Sequence, residues 1–416
     1  MATALLAGCG GSQPPIGGMG TVSQIQVGQA SSYQVLYRFD NYPDGLQPVA
    51  GLTAAGSTLY GTASRGGQKR CHGRDGCGTF YSISTHGSEK LLSTFNEQNG
   101  LFPMSRLIYV KGTLYGTTYQ GGPYGKGTVY SVSTTGAQTV LHGFSGGDGG
   151  LPVAGLVNVN GTLYGTTASG GMKNTRLIVE TPLATPNCCG TVYSISTSGT
   201  QTVLYRFKGG SDGENPYGGL IKLNGTLYGT TSFGGTKKGG CCGTVYSVST
   251  AGAEKVLYRF NGGSDGASPQ GDLIDVGGTL YGTTILGGGS GCYGGDGCGT
   301  VYAVTTTGKE KVLYSFAGGS DGARPQVGLI DVNGTLYGTT VSGGGSGCFE
   351  GCGTVYSIST AGAERVLYSF AGESDGMYPE APLVSVKGTL YGTTSLGGDG
   401  RSKPPNCCGT VFALSP

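Results

Sequence analysis

The sequence predicts an all-β fold, a seven-bladed β-propeller with four antiparallel strands in each blade. Self-similarity at a period of about 50 residues is typical of units that bury a core only against their neighbours. One phrase, (G/S)-T-L-Y-G-T, occurs seven times, centred on Tyr60, Tyr115, Tyr164, Tyr228, Tyr281, Tyr337 and Tyr391. A second phrase, G-T-(V/F)-(Y/F), follows each copy and begins at Gly78, Gly127, Gly190, Gly243, Gly299, Gly353 and Gly409.

Residues 329–370 show how one repeat forms a blade. Asn333-Gly334 separates two β-rich runs and predicts a tight hairpin, because a type I′ turn needs two residues with positive φ. The run that starts at Gly353 alternates apolar and polar residues, and Ala361-Gly362 turns it into a fourth run that ends at Phe370. Four short strands in each unit of 40 to 50 residues are typical of a propeller blade.

The two ends of the chain predict a closed ring. Residues 35–39 form a fourth-strand phrase with no blade before it, and the chain ends after the third-strand phrase that begins at Gly409. The N-terminal strand therefore completes the last blade, which removes both exposed sheet edges. We assign residues 1–9 to a truncated lipoprotein signal and lipobox, 10–32 to a linker rich in Gly, Ser and Gln, and 33–416 to the propeller.

Composition argues against nucleic-acid binding. Charged residues make up 12% of the chain, against about 25% in typical domains. The 25 basic and 23 acidic residues leave a net charge of +2, which provides no electrostatic surface for a polyanion.

The N-terminal residues Leu6-Ala7-Gly8-Cys9 resemble the lipobox of bacterial lipoproteins, in which the cysteine carries the lipid. No basic segment precedes them and the apolar run is short, so we expect the true start to lie upstream. Membrane contact is then through the lipid on Cys9 alone. The alternative is a chance cysteine in an N-terminal extension.

Twelve of the 13 cysteines fall in pairs within the loops between strands two and three of six blades. The second blade lacks both members, so we predict disulfides within each loop rather than between blades; reduced or metal-binding thiols are the third alternative. Vicinal cysteines have Cα atoms about 3.8 Å apart, short of the usual range of about 4.4 to 6.8 Å. Disulfides indicate an oxidising, extracytoplasmic compartment. The pairs are Cys71/Cys77, Cys188/Cys189, Cys241/Cys242, Cys292/Cys298, Cys348/Cys352 and Cys407/Cys408.

Loop length varies only on the face that carries the loops from strand two to three and from strand four to the next blade. We call this the variable face, and we expect ligand binding there. Aromatic side chains suit the grip of a sugar or a protein, although the same residues could merely pack against their own loops. The candidate ligand-binding residues are Tyr42, Tyr119, Tyr124, Tyr217, Tyr293 and Tyr378.

No catalytic set or cofactor is predicted. Each repeat has an Asp-Gly or Asn-Gly before a proline, which we interpret as a turn rather than a calcium ligand, because one carboxylate per blade is too few. No metal site is predicted. An alternative reading, a polysaccharide hydrolase or lyase, would use His72 and Asp75 with acidic loop residues such as Glu180, Asp296 and Glu350.

The phrases G-T-L-Y-G-T-T, G-T-V-Y-S-I-S-T and V-L-Y-x-F-x-G-G-S-D-G resemble the GloVer tandem repeat of bacterial "choice-of-anchor" surface proteins. The resemblance implies export and tethering, and it implies no established activity. We therefore expect an exported, membrane-anchored and non-enzymatic propeller that binds a glycan or an envelope protein. The alternatives are the polysaccharide hydrolase or lyase and a purely structural surface protein; oligomeric state is not predicted.

Overall fold

A computed structural model describes residues 32–40, 43–68, 71, 76–171, 189–236, 242–289, 291–372, 374–398 and 408–416. It contains seven four-stranded antiparallel sheets, so the seven-bladed propeller predicted from the sequence is confirmed. In this part of the chain, no helix has the length and apolar character needed to cross a membrane.

Each blade has a three-residue first strand, followed by strands of six residues, except that β1 has seven. Blades one to four comprise β2 (Thr53–Ala55), β3 (Thr58–Ala63), β4 (Thr79–Ser84) and β5 (Glu89–Thr94); β6 (Ile108–Val110), β7 (Thr113–Thr118), β8 (Thr128–Ser133) and β9 (Gln138–Gly143); β10 (Val157–Val159), β11 (Thr162–Thr167), β12 (Thr191–Ser196) and β13 (Gln201–Arg206); β14 (Ile221–Leu223), β15 (Thr226–Thr231), β16 (Thr244–Ser249) and β17 (Glu254–Arg259).

Blades five to seven repeat the pattern, and blade seven takes its outermost strand from the N-terminal end. They comprise β18 (Ile274–Val276), β19 (Thr279–Thr284), β20 (Thr300–Thr305) and β21 (Glu310–Ser315); β22 (Ile330–Val332), β23 (Thr335–Thr340), β24 (Thr354–Ser359) and β25 (Glu364–Ser369); β26 (Val384–Val386), β27 (Thr389–Thr394), β28 (Thr410–Ser415) and β1 (Ser32–Arg38). Single 3-10 turns lie at Gly210–Asp212, Gly263–Asp265, Tyr293–Gly295 and Gly319–Asp321.

The first hairpin has the predicted turn, with two residues of positive φ, in blades two to seven; in blade one only Gly56 of the Gly56-Ser57 turn has positive φ. Asn333 and Gly334 have φ of 53° and 83°, and the strands on either side pair from Val332 with Thr335 outward. Strand four carries one extra residue opposite strand three, such as Leu313 in β21. A bulge of this kind increases strand twist, and the carbonyl oxygen of Leu313 reaches the turn glycine Gly362 of the next blade, where a Cβ would lie 2.5 Å away.

Aromatic contacts between neighbouring blades form the core. The phenylalanine that follows each strand four packs edge-on against the strand-three ring of the next blade, with centroids 5.0 to 5.4 Å apart. The pairs are Phe39–Tyr81, Phe95–Tyr130, Phe144–Tyr193, Phe207–Tyr246, Phe260–Tyr302, Phe316–Tyr356 and Phe370–Phe412. Because one such pair is present at each of the seven interfaces between blades, the aromatic core is continuous around the ring.

β1 closes the ring by pairing with β28 from Ser32 opposite Ser415 to Arg38 opposite Thr410. The Tyr33 ring stacks on Tyr368 of blade six, with centroids 3.8 Å apart and planes 7° from parallel. The predicted role of the N-terminal strand is therefore confirmed, and it binds both its own blade and the blade before it.

Candidate functional site

A repeated backbone clamp positions the loops at the mouth of the central channel. In every blade-to-blade loop, the residue before the proline has a φ between 54° and 60°, a left-handed conformation that is costly for a residue other than glycine. Its N–H donates to the carbonyl of the residue that precedes the G-T-(V/F)-(Y/F) glycine, at 2.8 to 3.0 Å. The clamped residues are Gln47, Phe102, Leu151, Asn215, Ser268, Arg324 and Tyr378.

The residue after each proline faces the channel, and the seven together form what we call the upper ring. Blades one to three supply apolar side chains, whereas blades four to seven supply one tyrosine, two amides and one carboxyl group. An asymmetric set of side chains on a repeated backbone is the feature expected of a binding site rather than of packing. The upper ring comprises Val49, Met104, Val153, Tyr217, Gln270, Gln326 and Glu380.

A lower ring lies two residues further along each loop, immediately before a buried leucine. Five of its seven positions are glycine or proline, and only two carry long polar side chains, Arg106 in blade two and Asp272 in blade five. Asp272 is held in place because its Oδ1 accepts the N–H of Gly219 at 2.5 Å. The lower ring comprises Gly51, Arg106, Gly155, Gly219, Asp272, Gly328 and Pro382.

The two rings enclose a central cavity of about 360 Å³. A side cavity of about 700 Å³ continues from it towards blades one and two, where Arg65, Tyr119 and Gln120 form part of the wall. Arg106 and Asp272 also line a lower cavity of about 420 Å³ beneath the rings. The volumes fall within the range of small-molecule sites in proteins.

Burial shapes the electrostatics of this channel. It raises the pKa of Glu380, although a hydrogen bond from Ser395 and the charge of Arg324 act in the opposite direction. Burial also lowers the pKa of the Arg106 guanidinium, against the attraction of Asp272. The channel therefore holds ionisable groups in a partly dehydrated setting, where contacts with a ligand are stronger than in water.

Two of the six predicted tyrosines meet at this site. Tyr217 belongs to the upper ring and Tyr119 to the side cavity, and burial followed by the proximity of Tyr119 raises the pKa of Tyr217. Tyr124 is 64% exposed and Tyr378 occupies a clamped loop position; neither lines these cavities. Tyr42 and the side chain of Tyr293 lie outside the described residues.

The sequence reasoning missed most of the channel residues, including Arg106, Gln270, Asp272, Gln326 and Glu380. The loop proline and the leucine four residues after it recur in every repeat and mark the position of the upper ring, but the residues between them vary at every position. The sequence alone does not show that these seven positions point towards one axis.

The described disulfides lie within single loops. They join Cys71 to Cys77, Cys292 to Cys298 and Cys348 to Cys352, with Cα atoms 5.4, 5.1 and 5.1 Å apart. The prediction of local pairing is confirmed for these three loops. Cys189, Cys242 and Cys408 are also disulfide-bonded, while Cys9, Cys188, Cys241 and Cys407 lie outside the described residues. Disulfides indicate an oxidising compartment outside the cytoplasm.

The Asp-Gly and Asn-Gly motifs form the predicted turns. The Asp212 carboxylate accepts the N–H of Lys208 at 2.8 Å, and Asp321 accepts the N–H of Ala317 at 2.6 Å. No group of three or more His, Cys, Asp or Glu side chains comes together as a metal site within the described ranges. Of the residues considered for catalysis, His72, Asp75 and Glu180 lie outside these ranges, whereas Asp296 and Glu350 are exposed.

Comparison with known proteins identifies the family. The chain matches the Gloeobacter/Verrucomicrobia repeat over residues 9–187 and 176–412, and it belongs to that family. The resemblance predicted from the repeated phrases is therefore confirmed. No curated protein sequence matches the chain.

Solved structures with a similar arrangement of strands are distant in sequence. A proposed 6-phosphogluconolactonase from Bacteroides uniformis is 13% identical over 77% of this chain and 85% of its own, with a TM-score of 0.48. A gluconolactonase from Xanthomonas campestris is 12% identical over 92% and 89%, with a TM-score of 0.42. The aldose sugar dehydrogenase of Streptomyces coelicolor is 13% identical over 92% and 98%, with a TM-score of 0.41.

Proposed function

We propose that this protein is a saccharide-binding propeller of the bacterial cell envelope. The observation that carries the proposal is the upper ring, in which a tyrosine, two amides and a carboxyl group from four consecutive blades line one cavity. These groups stand on loops whose backbone clamp is the same in every blade.

The chemistry of the cavity fits a sugar better than a flat protein surface. A pyranose presents an apolar face that stacks on an aromatic ring and a rim of hydroxyl groups that both donate and accept hydrogen bonds. Tyr217 and Tyr119 supply the rings, while Gln270, Gln326 and Glu380 supply donors and acceptors. The central cavity of about 360 Å³ accommodates one to two sugar rings.

The envelope location rests on the disulfides and on the motif at Cys9. Labelled palmitate should enter the wild-type protein when it is expressed behind a complete lipoprotein signal peptide that ends at Cys9, and it should not enter the matched Cys9→Ser variant. Label in both proteins, or in neither, would remove Cys9 as the anchor.

Binding is tested with the oxidised Cys9→Ser protein on an array of bacterial and plant glycans. Tyr217→Ser should lose most binding, because it removes the one aromatic side chain that the upper ring supplies to the central cavity. Tyr124→Ser is the matched control: its tyrosine also lies in a loop of the variable face, is 64% exposed and lines neither cavity, so binding should persist.

Other results would reject the proposal. Retained binding in Tyr217→Ser with loss in Tyr124→Ser would move the site out of the channel. No bound glycan would favour an envelope protein as ligand or a structural role, and release of new reducing ends from a bound polysaccharide would favour the hydrolase alternative.

A further inference from the structure

The lower ring contains one charged pair where glycine would suffice. Four of its seven positions are glycine and one is proline, so the repeat makes no structural demand for a side chain there. Arg106 and Asp272 come from blades two and five, far apart around the ring, and both line the central and the lower cavity. Any ligand that enters past the upper ring meets these two groups next.

Asp272 and Arg106 differ in how their charges are satisfied. The Asp272 carboxylate already accepts the N–H of Gly219 at 2.5 Å. Within the described ranges, the Arg106 guanidinium forms no hydrogen bond or ion pair, and Asp272 acts on it only as a nearby charge. A guanidinium carries five N–H donors that match a carboxylate in a two-bond arrangement. Arg106 therefore keeps its donors available to a ligand.

The Arg106 side chain is partly buried in the channel wall, where a charge without a partner loses part of its hydration and gains no protein contact in return. A neutral methylene side chain or a glycine, as in four other blades, would avoid this cost. An arginine at this position is explained if an anionic group of a ligand is the partner of the Arg106 guanidinium.

We propose that Arg106 binds the carboxylate of an acidic saccharide whose sugar ring is held above it by the upper ring. This inference rests on the proposed function and specifies its ligand class. Asp272, in the same lower ring, accepts hydrogen bonds from sugar hydroxyl groups. It also disfavours a second anionic group, so one uronate residue, rather than a run of them, occupies the channel.

The test uses uronate oligosaccharides, namely oligogalacturonate, oligomannuronate and hyaluronan fragments, each beside its carboxyl-reduced, uncharged counterpart. Affinities are measured by titration calorimetry with the oxidised Cys9→Ser protein. At least one uronate should bind tenfold or more tightly than its reduced form. Arg106→Met, which keeps the length of the side chain without its charge, should weaken that ligand by about tenfold to a hundredfold and bind the reduced form as before.

Arg365→Met is the matched control, because this arginine is exposed on β25 and its loss should leave uronate binding unchanged. Thermal unfolding of each variant confirms that it is folded. Equal affinity of acidic and reduced sugars, with loss in Tyr217→Ser but not in Arg106→Met, would overturn the inference and leave the proposed function intact. Absence of binding to both sets would overturn the inference, and a negative glycan array beside it would overturn the proposed function as well.

Discussion

At the scale of single residues, the strand-three tyrosine is the most constrained position in the repeat. Its ring is fully buried and its hydroxyl lies against a strand-two glycine: a Cβ on Gly282 would be 2.5 Å from Tyr302 Oη. Six of these hydroxyls form no hydrogen bond in the described structure, those of Tyr81, Tyr130, Tyr193, Tyr246, Tyr302 and Tyr356. In blade seven, Phe412 occupies the equivalent position with the same edge-on contact.

We therefore predict that Tyr302→Phe keeps or slightly raises stability, by up to about 1 kcal/mol, because it removes a buried hydroxyl without a partner. Tyr302→Ala should lower the free energy of unfolding by about 3 to 5 kcal/mol, since it leaves a cavity between blades. Urea denaturation followed by far-UV circular dichroism measures both. A clear loss of stability in Tyr302→Phe would mean that the hydroxyl has a role that its contacts do not show.

A second set of residues joins the outer edges of neighbouring blades. At four interfaces, the hydroxyl of a strand-four tyrosine donates a hydrogen bond to the aspartate of the following loop. A glutamate at the start of strand four in the next blade lies beside this tyrosine and aspartate. Tyr205, Asp212 and Glu254 form one such set, in which the tyrosine hydroxyl is 2.6 Å from the Asp212 carboxylate. Burial, then the aspartate charge, raises the pKa of Glu89, Glu254 and Glu364 to about 7.

At two other interfaces, replacements among the tyrosine, the aspartate and the glutamate occur together. Where Asn99 replaces the aspartate, Gln138 replaces the glutamate, and Asn99 Nδ2 donates to Gln138 Oε1 at 2.6 Å. Where His142 replaces the tyrosine, its Nε2 pairs with Asp148 at 2.8 Å, and Gln201 stands in the glutamate position. A glutamate is thus present beside the aspartate only at interfaces where strand four supplies a tyrosine hydroxyl.

The raised pKa values predict a pH dependence with a definite sign. The folded protein binds these protons more tightly than the unfolded chain does, so each glutamate lowers the free energy of unfolding as the pH rises from about 4.5 to about 7. Glu254→Gln should therefore match the wild type at pH 5 and exceed it at pH 8. The difference should be modest, because the Glu254 side chain is only partly buried and solvent screens it.

Urea unfolding at the two pH values provides the measurement. Gln201→Glu is the reciprocal variant, since it places a new carboxyl group beside the pair of Asp148 and His142, and it should lose stability at pH 8 relative to pH 5. Parallel pH profiles for Glu254→Gln and the wild type would show that Glu254 ionises as freely in the folded protein as in the unfolded chain.

At the scale of elements, the disulfide loops reinforce a contact that the backbone already makes. The carbonyl of Cys352 accepts the N–H of Tyr378 at 2.9 Å. In blade two, which has no cysteine, Lys126 accepts the N–H of Leu151 at 2.8 Å in the same way. The bridge is therefore an addition to a loop that can form without it.

We predict that the double variant Cys348→Ser/Cys352→Ser folds and loses about 2 kcal/mol of stability, the loop-closure estimate for a loop of about five residues. Chemical denaturation under non-reducing conditions measures the loss. A variant that fails to fold would show that the bridge, rather than the clamp to the next blade, organises this loop.

The sequence was sufficient to predict the strands but not most of the channel residues, because strands depend on local patterns and the channel depends on how the blades assemble. Strands follow from local patterns such as the Asn333-Gly334 turn, which repeat in every blade. Side-chain direction within a loop is not local in this sense: Tyr119 lines the side cavity, whereas Tyr124, five residues later, is exposed to solvent. Arg106 and Asp272 line the same cavities only because the ring closes, and no spacing within one repeat predicts that arrangement.

At the scale of the whole molecule, closure depends on one strand. β1 supplies the outer edge of blade seven, the Tyr33 stack on blade six and, through Phe39, the edge-on contact with Tyr81 of blade one. The chain runs on from β1 into blade one, so the break in its path lies within blade seven, where only non-covalent contacts hold β1 against β28. Their loss exposes the edge of β28 and the aromatic core on both sides.

We predict that deleting residues 1–39 destabilises the whole propeller rather than blade seven alone, because both blades beside the gap lose buried aromatic contacts. The truncated protein should unfold at clearly lower urea concentration and should self-associate in size-exclusion chromatography through the open edge. A protein that starts at Ser32 is the control and retains every contact of β1. A synthetic peptide of residues 32–40 should restore the unfolding midpoint when added in excess, since a strand can bind an exposed sheet edge from solution. If the truncated protein stayed monomeric with an unchanged midpoint, ring closure would not be the source of stability, and contacts within each blade would have to suffice.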